Sequence, residues 1–420
     1  MPATEQGLQV TESLRLWNEA VALIPGGSQT NSKRPHHYAL GHYPIYAARA
    51  HGSRIWDVDG NEYIDYVNGL GPITLGYSYQ PVVDAVRAQL DRGVLSGLLW
   101  PQEVEAAREL VRAIPCAEQV RFFKGGGEAT AGAARIARGS TGRLKILNCG
   151  YRGWPDIWSA GRDGAVPAEL EHYVLPFSFG DLDELERLLT AHRGEVAAVF
   201  LGVPYDEEAS TSYLAAVRDL THTHEALLIF DEIVTGFRLA VGGAHEYHGI
   251  TPDLAVFAKG IANGMPLAAV VGRREVMEVT ERLLISLTYG GEALSLAACV
   301  AVTQEYRRHN VVDYLWRIGR RLMDGLNAAA AEAGVPFRCT GYGPIAAMAF
   351  DLPHEQGDDA WFRFLAECSR RGVLFRRGGL NNVTFSHTDA DIDQTIGVCR
   401  DAFVALLDAG LFPRGLLSPG

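Results

Sequence analysis

The stretch Ala226-Leu-Leu-Ile-Phe-Asp231-Glu232-Ile233 is an apolar run that ends abruptly in two carboxylates. A second short apolar run, Asp253-Leu-Ala-Val-Phe-Ala-Lys259-Gly260, follows it and ends in a lone lysine. Both runs have the length and bulk of strands buried on two faces. Neither polar residue says much alone. An Asp at a strand end commonly caps the next helix, and a lysine is commonly solvated. Consecutive strand tips that deliver an acid and then an amine are a more specific pattern.

Working outward, the chain alternates helical stretches and short apolar strands from about residue 80 to 300. The strand candidates are Gln119–Phe123, Leu144–Asn148, Val196–Val203, Leu227–Phe230, Leu254–Ala258 and Leu267–Val271. This alternation predicts an α/β fold with a mostly parallel sheet covered by helices on both faces. Residues 12–24 read as an amphipathic helix that stops at Pro25-Gly26-Gly27. The stretch 54–66 reads as a hairpin broken at Asp59-Gly60. After about 300 the pattern predicts one long helix, strands at Ile345–Phe350 and Gly372–Phe375, and a final helix from about 390. The expected organisation is an N-terminal segment (1–60) packed with a small α+β domain (301–420), around a large domain (61–300). No linker-like stretch or internal repeat divides the chain.

With 420 residues, 47% hydrophobic and 21% charged, the composition is that of a globular protein able to bury a large core. A formal charge of −12 argues against nucleic acid or an anionic membrane as partner, so any bound anion must be held locally. The six cysteines are scattered, without a C-x-x-C pair or zinc spacing, which points to a reducing, cytoplasmic compartment. Met1–Gly7 lacks a basic segment leading into an apolar one, so no secretory leader is expected. No run approaches the ~18 apolar residues of a membrane span.

A third signal is Arg121-Phe-Phe-Lys-Gly125-Gly126-Gly127-Glu128-Ala-Thr130, a strand running through three glycines into a helix. Such a loop frees backbone N–H groups at a helix N-terminus for a phosphate. It matches neither G-x-G-x-x-G nor the P-loop pattern, so nucleotide binding loses ground. In Asn148-Cys-Gly150-Tyr151-Arg152-Gly153-Trp154, an aromatic at a strand end can stack on a flat heterocycle or simply pack its own loop. Thr288, in Leu287-Thr288-Tyr289-Gly290-Gly291-Glu292, can donate to a phosphate or begin a helix. A basic ring nitrogen for Asp231, a reactive aldehyde for Lys259 and a phosphate for the glycines describe pyridoxal phosphate. The histidine pairs 36/37, 222/224 and 245/248 lack ligand spacing, so no metal is expected. In Ser386-His387-Thr388-Asp389, Thr388 or Asp389 is expected to cap the following helix.

These residues together resemble the class III aminotransferases, pyridoxal-phosphate enzymes of fold type I, and most of all the branch containing glutamate-1-semialdehyde aminomutase. The resemblance runs from Leu23-Ile-Pro-Gly-Gly27 through Trp56-Asp-Val-Asp-Gly60, Gly127-Glu-Ala-Thr130, Phe230-Asp-Glu-Ile-Val-Thr-Gly-Phe-Arg238 and Ala258-Lys259-Gly260 to His387-Thr-Asp389. It implies that Lys259 forms the Schiff base and Asp231 pairs with the ring nitrogen. Gly126 and Gly127 would bind phosphate, with Tyr151 stacked on one ring face and Ile233 on the other. It also implies a homodimer with active sites at the subunit interface, where Thr288 would reach the phosphate bound by the partner.

The chain departs from this family in several places. Gly125-Gly126-Gly127 stands for Ser-Gly-Thr, Arg152 for His, Leu201-Gly-Val-Pro204-Tyr205-Asp206-Glu207 for the usual V-E-P segment, and Glu292 for Asn. No C-terminal arginine for a donor carboxylate is evident near Asn381-Asn382-Val383, and Arg34 or Arg376 could replace it. Arg34, Arg152, Trp154 and Glu292 are accordingly expected to face the substrate. Several departures are similar to enzymes that aminate sugar or cyclitol ketones. The expected function is transfer of an amino group from an amino acid to a ketone or aldehyde. The alternatives are an aminomutase or epimerase using the same lysine, and a pyridoxal-phosphate protein without catalysis.

Overall fold

The structure, a computed structural model, describes residues 8–160 and 164–412. The leader expectation at residues 1–7 lies outside the described residues. The first three strands are β1 (Ala47–His51), β2 (Arg54–Asp57) and β3 (Glu62–Asp65). Seven more follow: β4 (Gln119–Phe123), β5 (Lys145–Cys149), β6 (Val174–Pro176), β7 (Val196–Leu201), β8 (Leu227–Asp231), β9 (Leu254–Phe257) and β10 (Ala268–Gly272). These seven form one sheet in the order β4-β10-β9-β8-β7-β5-β6. Five neighbours, from β9 to β6, run parallel, while β10 is antiparallel to both β9 and β4.

Alternation along each strand divides the side chains between two cores. Ile229 packs on one face with Ala133, Ile136 and Ala137 of the helix Gly126–Thr141. Leu228 and Phe230 pack on the other with Leu214 and Val217 of the helix Thr211–Thr223. Because both faces are covered, every residue of β7, β9 and β10 is buried, and their sequences are apolar throughout.

The smaller sheets come from the chain ends. β11 (Phe337–Tyr342), β12 (Ile345–Phe350), β13 (Val373–Leu374) and β14 (Asn381–Asn382) complete the strands, and β11-β12-β14 form a sheet of their own. β13 instead pairs in parallel with β3, Val373 opposite Ile64, so the N- and C-terminal segments share the sheet β1-β2-β3-β13. Asp59, at the tip of the β2–β3 hairpin, accepts from the N–H groups of Glu12 and Ser13 (2.6 and 2.9 Å). It thereby caps the helix Thr11–Leu23 from across the fold. Thr388 caps the helix Asp389–Asp408, its hydroxyl accepting from Asp391 N–H at 3.1 Å.

One expectation fails. The single long helix after 300 is two, Ala293–Arg308 and Val311–Ala333, because His309 turns extended (φ −121°, ψ 145°) between them.

Candidate active site

Parallel strands place all their carboxyl ends on one edge of a sheet, where α/β folds bind ligands. On that edge β8 ends in Asp231, β9 leads into Lys259, β4 leads into the three glycines, and β5 leads into Tyr151–Trp154. β7 leads into Gly202–Tyr205 on the same edge. They enclose a cavity of about 400 Å³ lined by Lys259, Asp231, Gly126, Gly127, Tyr151, Arg152, Trp154 and Ile233.

Lys259 opens a short 3-10 turn with φ +50°, a left-handed conformation that costs a non-glycine residue about 1 kcal/mol or more. Burial lowers its amine from the usual lysine range to about 8. Asp231 opposes that shift, whereas the cations of Arg238 and Arg376 reinforce it. Arg238 is fully buried and donates to the carbonyls of Val383, Gly71 and Ile73 (2.8–3.0 Å), and among the described residues its charge meets no acid. A pKa near 8 leaves roughly a tenth of the amine neutral at pH 7, about 300-fold more than an ordinary lysine.

Both oxygens of Asp231 are anchored. Ile233 N–H donates to Oδ1 and Arg152 Nη1 to Oδ2, each at 3.0 Å. Burial pushes this carboxyl above its usual range, and the Arg152 guanidinium pulls it back.

At the glycine loop, Glu128 Oε2 accepts from the N–H groups of Lys124 and Gly125, both at 3.1 Å. Helix geometry leaves the first-turn N–H groups of Gly126 and Gly127 without an intrahelical acceptor, at the positive end of the helix dipole. The two glycines are tightly backed. A Cβ on Gly126 would lie 2.9 Å from Ile233 Cδ1, and one on Gly127 would lie 3.1 Å from Pro155 Cδ. This donor set fits pyridoxal phosphate: a partly neutral amine, a buried carboxylate, and a helix N-terminus bare of side chains. Tyr151, 69% exposed at the rim, has a ring face free to stack.

The other expected site residues divide between this cavity and positions outside it. Arg152 lines the cavity but is buried, and its guanidinium bonds Asp231, so it supports the acid. Glu292 caps the helix Ala293–Arg308, accepting from Leu294 and Ser295 N–H, and pairs with Lys124 Nζ at 2.9 Å. It is therefore committed to structural contacts. Thr288 does not line this cavity and lies in a separate concavity with Leu98, Leu99 and Trp100. Arg34 packs against Gly26, outside the lining. Trp154 stands at the rim, 79% exposed.

The cavity is also lined by Tyr205, Lys124, Pro72 and Gly264–Leu267, of which Lys124, Pro72 and Leu267 had no site role from sequence alone. Tyr205 falls in the segment already flagged as a departure, and Lys124 directly precedes the glycines. Two of the paired histidines have acidic partners. His245 Nδ1 meets Glu232 Oε1 at 3.0 Å, and His222 Nε2 meets Asp253 Oδ2 at 2.9 Å.

Comparison with known proteins agrees with this geometry. The sequence profile of the family described as aminotransferase class-III matches residues 37–153 and 181–403. The chain is 34% identical over 405 residues to 3-aminobutyryl-CoA aminotransferase of Cloacimonas acidaminovorans, covering 94% of this chain and 97% of the relative. It is likewise 34% identical to glutamate-1-semialdehyde 2,1-aminomutase of Syntrophobacter fumaroxidans, covering 94% and 98%. Among solved structures, the pyridoxal-phosphate internal aldimine form of the FumI protein of Sphingopyxis sp. MTA144 superposes with a TM-score of 0.89. That pair shares 27% identity over 95% of this chain and 97% of FumI. The fold is fold type I, and the expected α/β architecture is the one observed. The chain belongs to the class III aminotransferases and is a pyridoxal-phosphate-dependent enzyme.

Proposed function

We propose that this enzyme transfers an amino group from an amino-acid donor to a ketone or aldehyde acceptor, with Lys259 and Asp231 as its catalytic pair. The observation that carries this reading is an amine lowered to about 8 that shares one cavity with a buried, doubly anchored carboxylate. Pyridoxal phosphate, bound there, supplies an aldehyde carbon and a ring able to accept electrons.

Lys259 Nζ, partly neutral at pH 7, is the amine that would hold the cofactor's aldehyde carbon. The same Nζ would accept a proton from the carbon that bears the amino group and, as an ammonium, return one. Asp231 would hold a positive charge on the ring nitrogen. Gly126 and Gly127 would donate N–H groups to the phosphate, and Tyr151 and Ile233 would hold the ring between them.

The acceptor we favour is a sugar or cyclitol ketone. The exposed rings of Tyr151 and Trp154 at the cavity mouth offer apolar faces to a polyhydroxylated ring whose C–H edges need cover. Arg34 and Arg376 remain the candidates for a donor carboxylate, and the Arg376 charge already acts on Lys259.

We further propose a homodimer. Leu98 and Leu99, 82% and 85% exposed, line the same concavity as Thr288, an apolar area that suits a second copy of the chain. Thr288 lies on this face, where it would meet the partner's phosphate.

The test is a screen of amino donors against carbonyl acceptors, using a donor labelled with 15N. Label in the product supports transfer. Product formed without label would make the enzyme an aminomutase or epimerase. No turnover with any pair, by a protein that still binds cofactor, would refute both enzymatic readings.

A further inference from the structure

We infer that Arg152 is a positioning residue that clamps Asp231 in one orientation and keeps it ionised toward the cofactor's ring nitrogen. One guanidinium ties together the carboxyl ends of three adjacent strands. Nη1 donates to Asp231 Oδ2 (3.0 Å), just at the end of β8, and to Tyr151 O (2.7 Å). Nη2 donates to Cys149 O at the end of β5, and to Phe200 O in β7 at 3.5 Å. The group also lies over the Phe200 ring, 4.9 Å from its centroid. The ion pair is almost dry, with side-chain exposures of 4% for Arg152 and 10% for Asp231.

The chain makes room for this clamp. A Cβ on Gly202 would stand 3.3 Å from Nη1, tighter than most such contacts, and 3.5 Å from Nη2. With Ile233 N–H on Oδ1 and Arg152 on Oδ2, the carboxylate plane is fixed. Each oxygen keeps lone-pair capacity for one further donor. A buried carboxyl without a cation takes up a proton, and as a neutral acid it cannot hold a ring nitrogen positive. Arginine does not deprotonate in proteins, so its hold on Asp231 does not vary with pH. The other titratable groups facing the pair are Lys259, Glu232, Tyr205 and Cys149.

This inference rests on the cofactor site proposed above, and its test separates the two. Cofactor affinity of cofactor-free protein is measured from pH 5.5 to 8.5 for the wild type, Arg152→Gln, Arg152→Lys and Arg152→His. Thermal unfolding of each cofactor-free form serves as the folding control. Arg152→Gln is expected to weaken binding about 10- to 100-fold, the range for a lost charge-assisted hydrogen bond. Arg152→Lys should recover part of that loss. The ratio of Arg152→His affinity to wild-type affinity should fall as pH rises through about 6.5, where an ordinary imidazole loses its charge. A folded Arg152→Gln with wild-type affinity overturns the inference. A pH-independent ratio for Arg152→His also overturns it, leaving Arg152 a packing residue. Failure of the wild type itself to bind pyridoxal phosphate would instead overturn the site.

Discussion

If Lys259 is poised near pH 8, covalent capture of pyridoxal phosphate by cofactor-free enzyme must depend on pH in a defined way. Only the neutral amine attacks an aldehyde, so the first-order capture rate at saturating cofactor follows the neutral fraction of Nζ. Burial, with help from Arg238 and Arg376, lowers that amine to about 8. The rate should therefore rise about tenfold per pH unit up to pH 7 and level off above about 8.5. A lysine left at its usual value would instead keep climbing tenfold per unit beyond pH 9, and would react about 300-fold more slowly at pH 7. Stopped-flow absorbance between pH 6 and 9.5 reads this directly. Asp231→Asn supplies the internal control. The carboxylate favours the ammonium form, so its removal should move the midpoint below that of the wild type. A wild-type rate still rising tenfold between pH 8.5 and 9.5, or a midpoint that moves upward in Asp231→Asn, would refute this electrostatic account of Lys259.

Other predictions concern stability and assembly. Burial lowers His387 to about 4 from an ordinary 6.5, so between those values the unfolded chain binds more protons and stability falls as pH falls. The loss should total roughly 3 kcal/mol, and His387→Gln should flatten that limb when unfolding free energies are compared at pH 6.5 and 4.5. Glu232, fully buried, accepts from His245 Nδ1, Ala244 N–H, His245 N–H and the Thr235 hydroxyl. Glu232→Gln should cost about 3–5 kcal/mol in denaturant unfolding, as expected when one partner of a buried pair is lost. Leu98→Asp combined with Leu99→Asp should convert a dimer to monomer in sedimentation. An unchanged sedimentation coefficient would remove that face from the interface.

Contiguous signals in the sequence were legible and distant pairings were not. Asp231 and Lys259 each close an apolar run, and the three glycines sit between a strand and a helix, so neighbouring residues reveal all of them. The strands β1, β6, β11 and β14 went unread because they are short, partly exposed or polar. β6 is three residues ending in Pro176, and β14 is Asn381–Asn382. The break at His309 carries no Pro or Gly to mark it. The roles of Arg152 and Glu292 depend on partners far along the chain. Asp231 lies 79 positions from Arg152, and Lys124 lies 168 from Glu292, so only the folded sheet edge brings them together. Read locally, both charges looked available to a substrate.

The central claim, that Lys259 carries the cofactor, has an unusually clean test because the chain contains only four lysines, at 33, 124, 145 and 259. Of these, Lys124 and Lys259 line the same cavity, so Lys124 is the competitor that matters. Borohydride reduction of the cofactor-loaded enzyme, followed by peptide mass mapping, fixes the cofactor to whichever amine held it. The account predicts the added mass on Lys259 and on no other lysine, with no label retained by Lys259→Ala. Label on Lys124 in the wild type, or undiminished labelling of Lys259→Ala, would contradict it.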